Sequence, residues 1–474
     1  MCAVAGDSAF LVASALRGLL WYTAEMTVAG SQTPVEGGPP EGVTTENAYF
    51  LRLDVENVTC FSANASVSFE ASPGHPAQWT VLLGENGVGK TSLLQLLASG
   101  EVQNDSDRPA AGRLADAVVK LALHGTLPRR LRRIGSTQSK VEYVVGWGDS
   151  LTEPLFQNTN TVKLYDGGTS AMTFNVPKRS IVYGYGANRR RAPRGLTAES
   201  TDDTSATLFD DDATLRNPEE WFLQLDLVSK TESPSQVKAA QQLTRVADIL
   251  KRILPNVQGV RVGSTNGGPI RAEMQVQTAD GWVPFASMGL GYRTMTAWMC
   301  DFASRLFERY SELENPLAGA AVCLVDEIDL HLHPRWQRDL TGQLSTLFPN
   351  TQFIVTAHSP LIVQSARDAR VYVLKRQGDS VSVESAPAEV RRWRLDQMLT
   401  SDLFGLPSAR PADLDKLMQE RDSLLGKTAL SQTDESRLAE LRAEIGDLSF
   451  GETVEDIEAM DIIRRAAKRL ASQP

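Results

Sequence analysis

Cysteine is scarce in this chain of 474 residues: Cys2, Cys60, Cys300 and Cys323 share no CxxC spacing. That scarcity argues against a disulfide framework or a cysteine zinc site, and it makes a reducing, cytoplasmic setting the expectation. Long apolar runs are missing as well. None reaches the roughly 18 residues of a membrane span, and the nearest, Ala9–Tyr22, is broken by Arg17. Positive charge is not in excess. Lys and Arg number 48 against 58 Asp and Glu, a net −10, which excludes a histone-like coat for polyanions. There is no internal repeat, and no apolar heptad pattern is sustained over the three or so heptads a coiled-coil arm needs.

What is present suits a packed protein. Hydrophobic residues are 42% and charged residues 22%, so a core forms and wholesale disorder is excluded. The length fits two or three domains, or one large α/β unit with insertions. Residues 1–47 read as a disordered leader or as a misassigned start with translation beginning at Met26. Gly37-Gly38-Pro39-Pro40 marks loop chemistry just before order begins.

Alternation of apolar and polar residues predicts a strand at Tyr49–Val58 with Ala65–Phe69 as its hairpin partner. Trp79–Leu83 is a short apolar run of the kind found in buried central strands. A helix is predicted over Thr91–Ala98, further strands within 141–176, and another at Ser180–Tyr185. Residues 199–213, rich in Ser, Thr and Asp, read as a mobile surface loop. Residues 218–253 read as helical, with Asn217 as cap, Pro218 in the first turn, and Glu219 and Glu220 beside it. Two strands follow near 258–263 and 271–277, then an apolar helix reaching Tyr310. Ala320–Val325 and Gln352–Thr356 are two more central strands, with a helix over Pro334–Leu347 between them. Strand, helix and strand of this kind imply a parallel sheet covered on both faces. Beyond Ala386 the spacing is helical, with an antiparallel pair joined at Gly426–Ser431.

Between the first central strand and its helix, Gly84-Glu85-Asn86-Gly87-Val88-Gly89-Lys90-Thr91 matches GxxxxGK[ST] in full, and Ser92 follows in the helix. Glycines let successive N–H groups turn toward an anion, and a helix N-terminus adds positive potential. Lys90 is placed to reach β- and γ-phosphates and the Thr91 hydroxyl to bind Mg²⁺. The second central strand delivers Asp326 and Glu327. An acid at the end of an apolar strand calls for a cation, so Asp326 is the candidate Mg²⁺ ligand and Glu327 the candidate base for an attacking water. His358 ends the third strand at the edge where open α/β sheets bind ligands, which suits a γ-phosphate sensor. His331 and His333, two apart in a loop, are assigned a structural role rather than a metal.

Cys323–Trp336 and Gln352–Pro360, taken with the phosphate loop, closely resemble the ATPases of the ABC superfamily, in the branch that holds SMC, Rec-type and OLD proteins. The resemblance spans about residues 48–374, and the chain is also similar to ATPases of bacterial antiphage systems of the Septu, retron-associated and PARIS types. It implies an α/β ATPase head over 48–385 with a mixed, mostly parallel sheet and a helical lobe near 214–310, and a C-terminal helical extension over 386–474. It also implies ATP and Mg²⁺, ATP hydrolysis, and a composite site that needs at least a homodimer. The second head would present a signature loop, matched by Ser287-Met288-Gly289-Leu290-Gly291-Tyr292-Arg293. Two registers fit, one with Ser287 in the serine role and one with Gly289 in its place, and Gly291 belongs to the segment in both. Around Tyr183–Arg189 a Q-loop is implied; no glutamine stands there, and Asn188 is the available substitute.

The resemblance implies a sensor or regulator that gates a separate effector, a nuclease, through nucleotide-dependent head engagement. Residues after His358 show no acid-ended strand series, so no nuclease domain is expected in the chain itself. A repair ATPase acting on DNA ends and an ATP-bound scaffold with little turnover are the alternatives. Nucleic acid could meet the basic clusters Pro128–Arg133 and Arg189–Arg194. A solvated face or pairing with Asp210–Asp212 is the favoured reading of both. Trp393, Leu399, Leu403, Phe404 and Leu406 form an apolar cluster that either docks a partner or packs on its own chain.

Overall fold

The computed structural model describes residues 48–56, 58, 60–61, 64–99, 138–147, 151, 156–165, 168–173, 182–192, 203–265, 270–425, 427 and 431–445. The leader, the basic cluster at 128–133, the end of the 189–194 cluster and residues 446–474 lie outside them.

The elements that matter run in chain order. The first group is β1 (Ala48–Glu56), β2 (Ala65–Ser68), β3 (Trp79–Gly84), α1 (Lys90–Ser99), β4 (Gln138–Trp147), β5 (Phe156–Tyr165), β6 (Gly168–Thr173) and β7 (Val182–Tyr185). The second is α2 (Pro218–Lys230), α3 (Gln236–Ile253), β8 (Gly259–Ser264), β9 (Ala272–Thr278), β10 (Gly281–Pro284) and α4 (Leu290–Arg309). The third is β11 (Ala321–Val325), α5 (Pro334–Leu347), β12 (Thr351–Thr356), α6 (Pro360–Ser365), β13 (Arg370–Gln377) and β14 (Ser380–Ser385). Helices α7 (Leu395–Thr400), α8 (Ala412–Leu425) and α9 (Gln432–Ile445) end the described chain.

Among the described residues the central sheet has six strands in the order β14-β13-β3-β12-β11-β7. Five run parallel, and β14 joins the edge antiparallel. This is a mixed, mostly parallel α/β sheet with β3 at its centre. A pleated strand sends alternate side chains to opposite faces, and both faces here are covered. Val81, Cys323, Phe353 and Tyr185 enter the core built with α4 and α5, whereas Leu82, Leu324, Ile354 and Val182 enter the core built with α1 and β1. Phe353 stacks on Trp79 with ring centroids 4.5 Å apart. That two-sided burial is why these strands read as continuous apolar runs.

A second sheet, antiparallel in the order β2-β1-β4-β5-β6, closes over the α1 side. Gln352, fully buried on β12, fastens the two sheets together. Its amide donates to the Phe50 carbonyl at 2.8 Å and its oxygen accepts from the Phe50 N–H at 2.9 Å. A small antiparallel sheet, β8-β9-β10, lies with α2 and α3 in the segment before α4.

Asn217 caps α2 as the sequence indicates, accepting from the Glu219 and Glu220 N–H groups. One reading changes, one element is new, and one open alternative is partly decided. The described part of 199–213 is not an open loop: Ala206–Phe209 forms a helical turn with Thr207 and Leu208 buried under β7. The β13–β14 hairpin was not anticipated, since its residues mix charge with apolar positions. The apolar cluster after Ala386 packs in part on its own chain, with Leu406 left 44% exposed. Met398 and Leu403 are buried in the main core, with Trp393 and Phe404 against it. No described helix is long and apolar enough to cross a membrane.

Candidate functional site

Strand β3 delivers the glycine-rich loop at the C-terminal edge of the sheet. Gly84 has φ 141°, and a Cβ there would sit 2.6 Å from the Leu374 carbonyl oxygen on β13. Gly89, at φ 94°, lies so close under Cys60 that a Cβ would stand 2.4 Å from its sulfur. Only glycine meets both demands, conformational and spatial. Helix α1 starts at Lys90, and its Nζ donates to the Gly84 and Glu85 carbonyls at 2.9 Å each. Burial lowers the Lys90 pKa, opposed by the nearby carboxylates of Asp326, Glu327 and Asp329.

The β11 strand, buried along its length, brings Asp326 beside α1. Thr91 Oγ1 donates to Asp326 Oδ2 at 2.8 Å, and Thr356 Oγ1 donates to Asp326 Oδ1 at 2.6 Å. Thr356 also accepts from the Glu327 N–H at 2.7 Å. The Asp326 N–H donates to the Tyr185 carbonyl on β7 at 2.8 Å, and the Ile328 N–H to the Thr356 carbonyl at 3.0 Å. The acid pair is thereby pinned from the strands on both sides. Glu327 adopts φ 48°, the left-handed region that non-glycine residues enter only when surroundings hold them there.

A cavity of about 360 Å³ opens over these groups, lined by Cys60, Asn86, Gly87, Gly89, Lys90, Thr91, Ser92, Asp326 and Glu327. Its chemistry divides cleanly. The loop N–H groups, the α1 N-terminus and the Lys90 ammonium suit a phosphate chain. The Thr91 hydroxyl and the Asp326 carboxylate, within hydrogen-bond reach of each other, are a hard oxygen pair suited to Mg²⁺. Glu85 and Val88 belong to the loop without lining the cavity, Val88 being buried and Glu85 exposed.

His358 follows β12 at the same sheet edge. Its N–H donates to the Asp329 carboxylate, at 3.1 Å to Oδ2, while its residue is exposed and lies off the cavity lining. The signature segment is apart from the cavity in this chain. Ser287 ends a short 3₁₀ turn, its hydroxyl spent on the Pro284 carbonyl at 2.7 Å. Gly289 is the exposed N-cap of α4, and Gly291 packs in the first turn against the His331 carbonyl, where a Cβ would come within 2.3 Å. His331 sits at φ 63° in that loop, and His333 Nδ1 caps α5 by accepting from the Arg335 N–H. Among the described residues no cluster of three or more metal-ligating side chains occurs.

Four groups escaped the sequence reading. Thr356 is the last residue of an apolar run, and only the register of β12 on β11 brings it to Asp326. Asp329 holds the His358 backbone. Gln337 ties the same two loops, accepting from the Ser359 hydroxyl at 2.5 Å and donating to the Leu332 carbonyl at 2.9 Å. Arg189 is the sharpest correction. Within a cluster read as a solvated face it is only 3% exposed. It donates through Nη2 to the Asp326 carbonyl, to the Glu327 carbonyl at 2.8 Å, and through Nε to the Gly186 carbonyl at 3.2 Å. Arg190 does pair with Asp212, at 2.7 Å. Asn188 is exposed and does not line the cavity.

Comparison with known proteins agrees with this chemistry. Residues 148–364 match the family model described as "AAA domain, putative AbiEii toxin, Type IV TA system". The Septu protein PtuA of Bacillus mycoides (strain KBAB4) is 25% identical over 418 residues, covering 85% of this chain and 52% of that protein. The Retron Ec83 probable ATPase of Escherichia coli is 34% identical over 149 residues, 31% of this chain and 27% of the relative. The chain thus spans about half the length of the PtuA relative it matches along most of itself. Among solved structures, an SMC head bound to the C-terminal winged-helix domain of ScpA aligns over 72% of this chain and 99% of its own, at 16% identity and TM-score 0.41. The resemblance to Septu proteins and retron-associated ATPases, read from the motifs, is borne out.

Proposed function

We propose that the chain binds ATP with Mg²⁺ and hydrolyses it to ADP and phosphate, as the sensor or regulator of an antiphage complex. The observation that carries the proposal is the hydrogen-bonded set Thr91–Asp326–Thr356–Glu327 beneath the phosphate loop. Lys90 and the loop N–H groups hold the phosphates. Thr91 and Asp326 would hold Mg²⁺, which when bound supplies Lewis-acid stabilisation of the phosphate oxygens. Glu327 orients a water and takes its proton as the water oxygen bonds to the γ-phosphorus and the β–γ bridging bond breaks. Positioning and charge stabilisation then carry the acceleration.

On this reading the Ser287–Gly291 segment, which does not line its own chain's cavity, completes the site of a second copy. His358, at the sheet edge, senses the γ-phosphate. ATP holds two heads together, hydrolysis releases them, and a separate effector, a nuclease, receives the change. The likeness to Septu PtuA and to retron ATPases supports the defence role.

The test is phosphate release and mass in solution for wild type and Glu327→Gln. Loss of a general base lowers turnover by about a hundred- to ten-thousandfold. Glu327→Gln should therefore bind MgATP, stay dimeric and scarcely turn over, whereas Lys90→Ala should fail to bind. A Glu327→Gln protein that hydrolyses at the wild-type rate would remove Glu327 from its role, and one that stays monomeric in MgATP would remove the composite site.

A further inference from the structure

Arg189 has no role in the scheme above, yet it is the most deeply placed cation near the acid pair. Its guanidinium lies beneath the cavity rather than in it. Burying such a group costs several kcal/mol, roughly, unless its donors are answered. Among the described residues no ion pair joins it to a carboxylate. Its partners are three backbone carbonyls, of Gly186, Asp326 and Glu327. Two belong to consecutive residues, and they are the two acids of the site. A buried apolar side chain would fill this space without desolvating a charge, so packing alone gives no reason for an arginine.

The geometry supplies one. Glu327 is in the left-handed region, and so is Arg189, at φ 39°. An L-residue there costs about 1–2 kcal/mol and reverts unless held. The Glu327 N–H is taken by Thr356, and its carbonyl accepts from Arg189 at 2.8 Å and from the Leu330 N–H at 3.0 Å. With both peptide groups fixed, the direction of its Cα–Cβ bond is fixed as well. Burial lowers the Arg189 pKa, opposed by the nearby carboxylates of Asp326, Asp329 and Glu327.

We infer that Arg189 is a positioning residue for the hydrolytic step: by clamping the Asp326 and Glu327 carbonyls it sets where the Glu327 carboxylate stands over the cavity. This rests on Glu327 being the base. Arg189 needs no contact with nucleotide to act, so its loss falls on turnover and leaves binding.

The test uses the full chain with Arg189→Met and Arg189→Lys, each alone and on Glu327→Gln. A misplacement of about 1 Å costs roughly a hundredfold in rate. Both single variants should lose turnover on that scale with the KM for MgATP within about threefold of wild type. Lysine is the informative change, since one ammonium keeps the charge and the fold but lacks the planar fork that spans Gly186 and the acid pair. On the Glu327→Gln background neither change should lower the residual rate further, because groups that act as one unit are not additive.

If Arg189→Lys melts as wild type does and hydrolyses at the wild-type rate, the inference is overturned. It is overturned as well if Arg189→Lys lowers the residual rate of Glu327→Gln by its full single-variant factor, which would place its effect elsewhere. Failure of the underlying reading looks different: Glu327→Gln itself would then turn over normally.

Discussion

Thr91 and Asp326 stand 235 residues apart in the chain, and the Thr91 hydroxyl donates to the Asp326 carboxylate at 2.8 Å. The contact joins the first turn of α1 to the end of β11 and defines the corner where a cation would bridge them. It also shows how the fold makes a site from two short motifs, since parallel pairing of β3, β12 and β11 leaves all three strand ends on one edge.

That corner gives the first prediction. Asp326→Asn keeps the shape and one acceptor oxygen, for Thr356, while its NH2 group donates to the Thr91 hydroxyl instead of accepting from it, so the fold should persist with an unfolding midpoint close to wild type. The carboxylate charge is gone, and with it the affinity for a hard cation. Nucleotide binding should become insensitive to Mg²⁺, and turnover should fall by about a hundredfold or more, the several kcal/mol that a Lewis acid contributes. Titration of nucleotide with and without Mg²⁺ reads the first effect, and phosphate release the second. Retained Mg²⁺ dependence would exclude Asp326 as the ligand.

Much of this corner was legible in the residues. The glycine loop, the acid-ended strand and the apolar runs each carry a local physical signature, and the central strands fall where those signatures put them. What was not legible depends on register and on buried side-chain reach. Thr356 looks like an ordinary strand residue until β12 pairs with β11. Arg189 looks like part of a basic surface because it stands in one run with Arg190, which is exposed and finds Asp212, and Arg191, which is half-buried and finds Glu219. No pattern in one strand of sequence distinguishes the arginine that turns inward. The hairpin β13–β14 was missed for a related reason: an edge pair beside buried strands needs no clean alternation.

Cysteine chemistry offers a second prediction. Cys60 is half-buried on the cavity wall, its thiol 3.4 Å from the Val88 carbonyl. Cys300 and Cys323 are fully buried, and burial pushes both thiols up, so at neutral pH neither presents a thiolate. Of Cys60, Cys300 and Cys323, a maleimide should therefore label Cys60 in the native chain and spare Cys300 and Cys323. MgATP should slow labelling of Cys60 at least about tenfold if nucleotide occupies the cavity it lines, in keeping with the dependence of thiol reactivity on access. Peptide mapping of the labelled chain measures both. Labelling of Cys60 that ignores MgATP would place the nucleotide elsewhere.

The third prediction concerns the helix behind the signature segment. Asp301, on α4 and 1% exposed, accepts from the Tyr185 hydroxyl at 3.0 Å and from Arg305 Nε at 2.8 Å, and the Arg216 N–H reaches its other oxygen at 3.3 Å. Burial and the adjacent carboxylate push the Tyr185 phenol well up, so it remains a donor at any ordinary pH. Tyr185 is also the residue whose carbonyl receives the Asp326 N–H. One tyrosine therefore links α4 to the acid strand, by its hydroxyl on one side and its backbone on the other. Asp301→Leu leaves Arg305, 12% exposed at its side chain, without this carboxylate. Removing one member of such a buried pair costs about 3–5 kcal/mol, read as a lower urea midpoint at unchanged slope. Asp301→Leu with Arg305→Met should recover much of that stability, because the largely buried arginine charge goes as well. Turnover should not recover with it, since neither leucine nor methionine restores an acceptor for Tyr185 and the tie between α4 and β7 stays broken. A double variant that regains stability and full turnover together would show that Asp301 serves the fold alone.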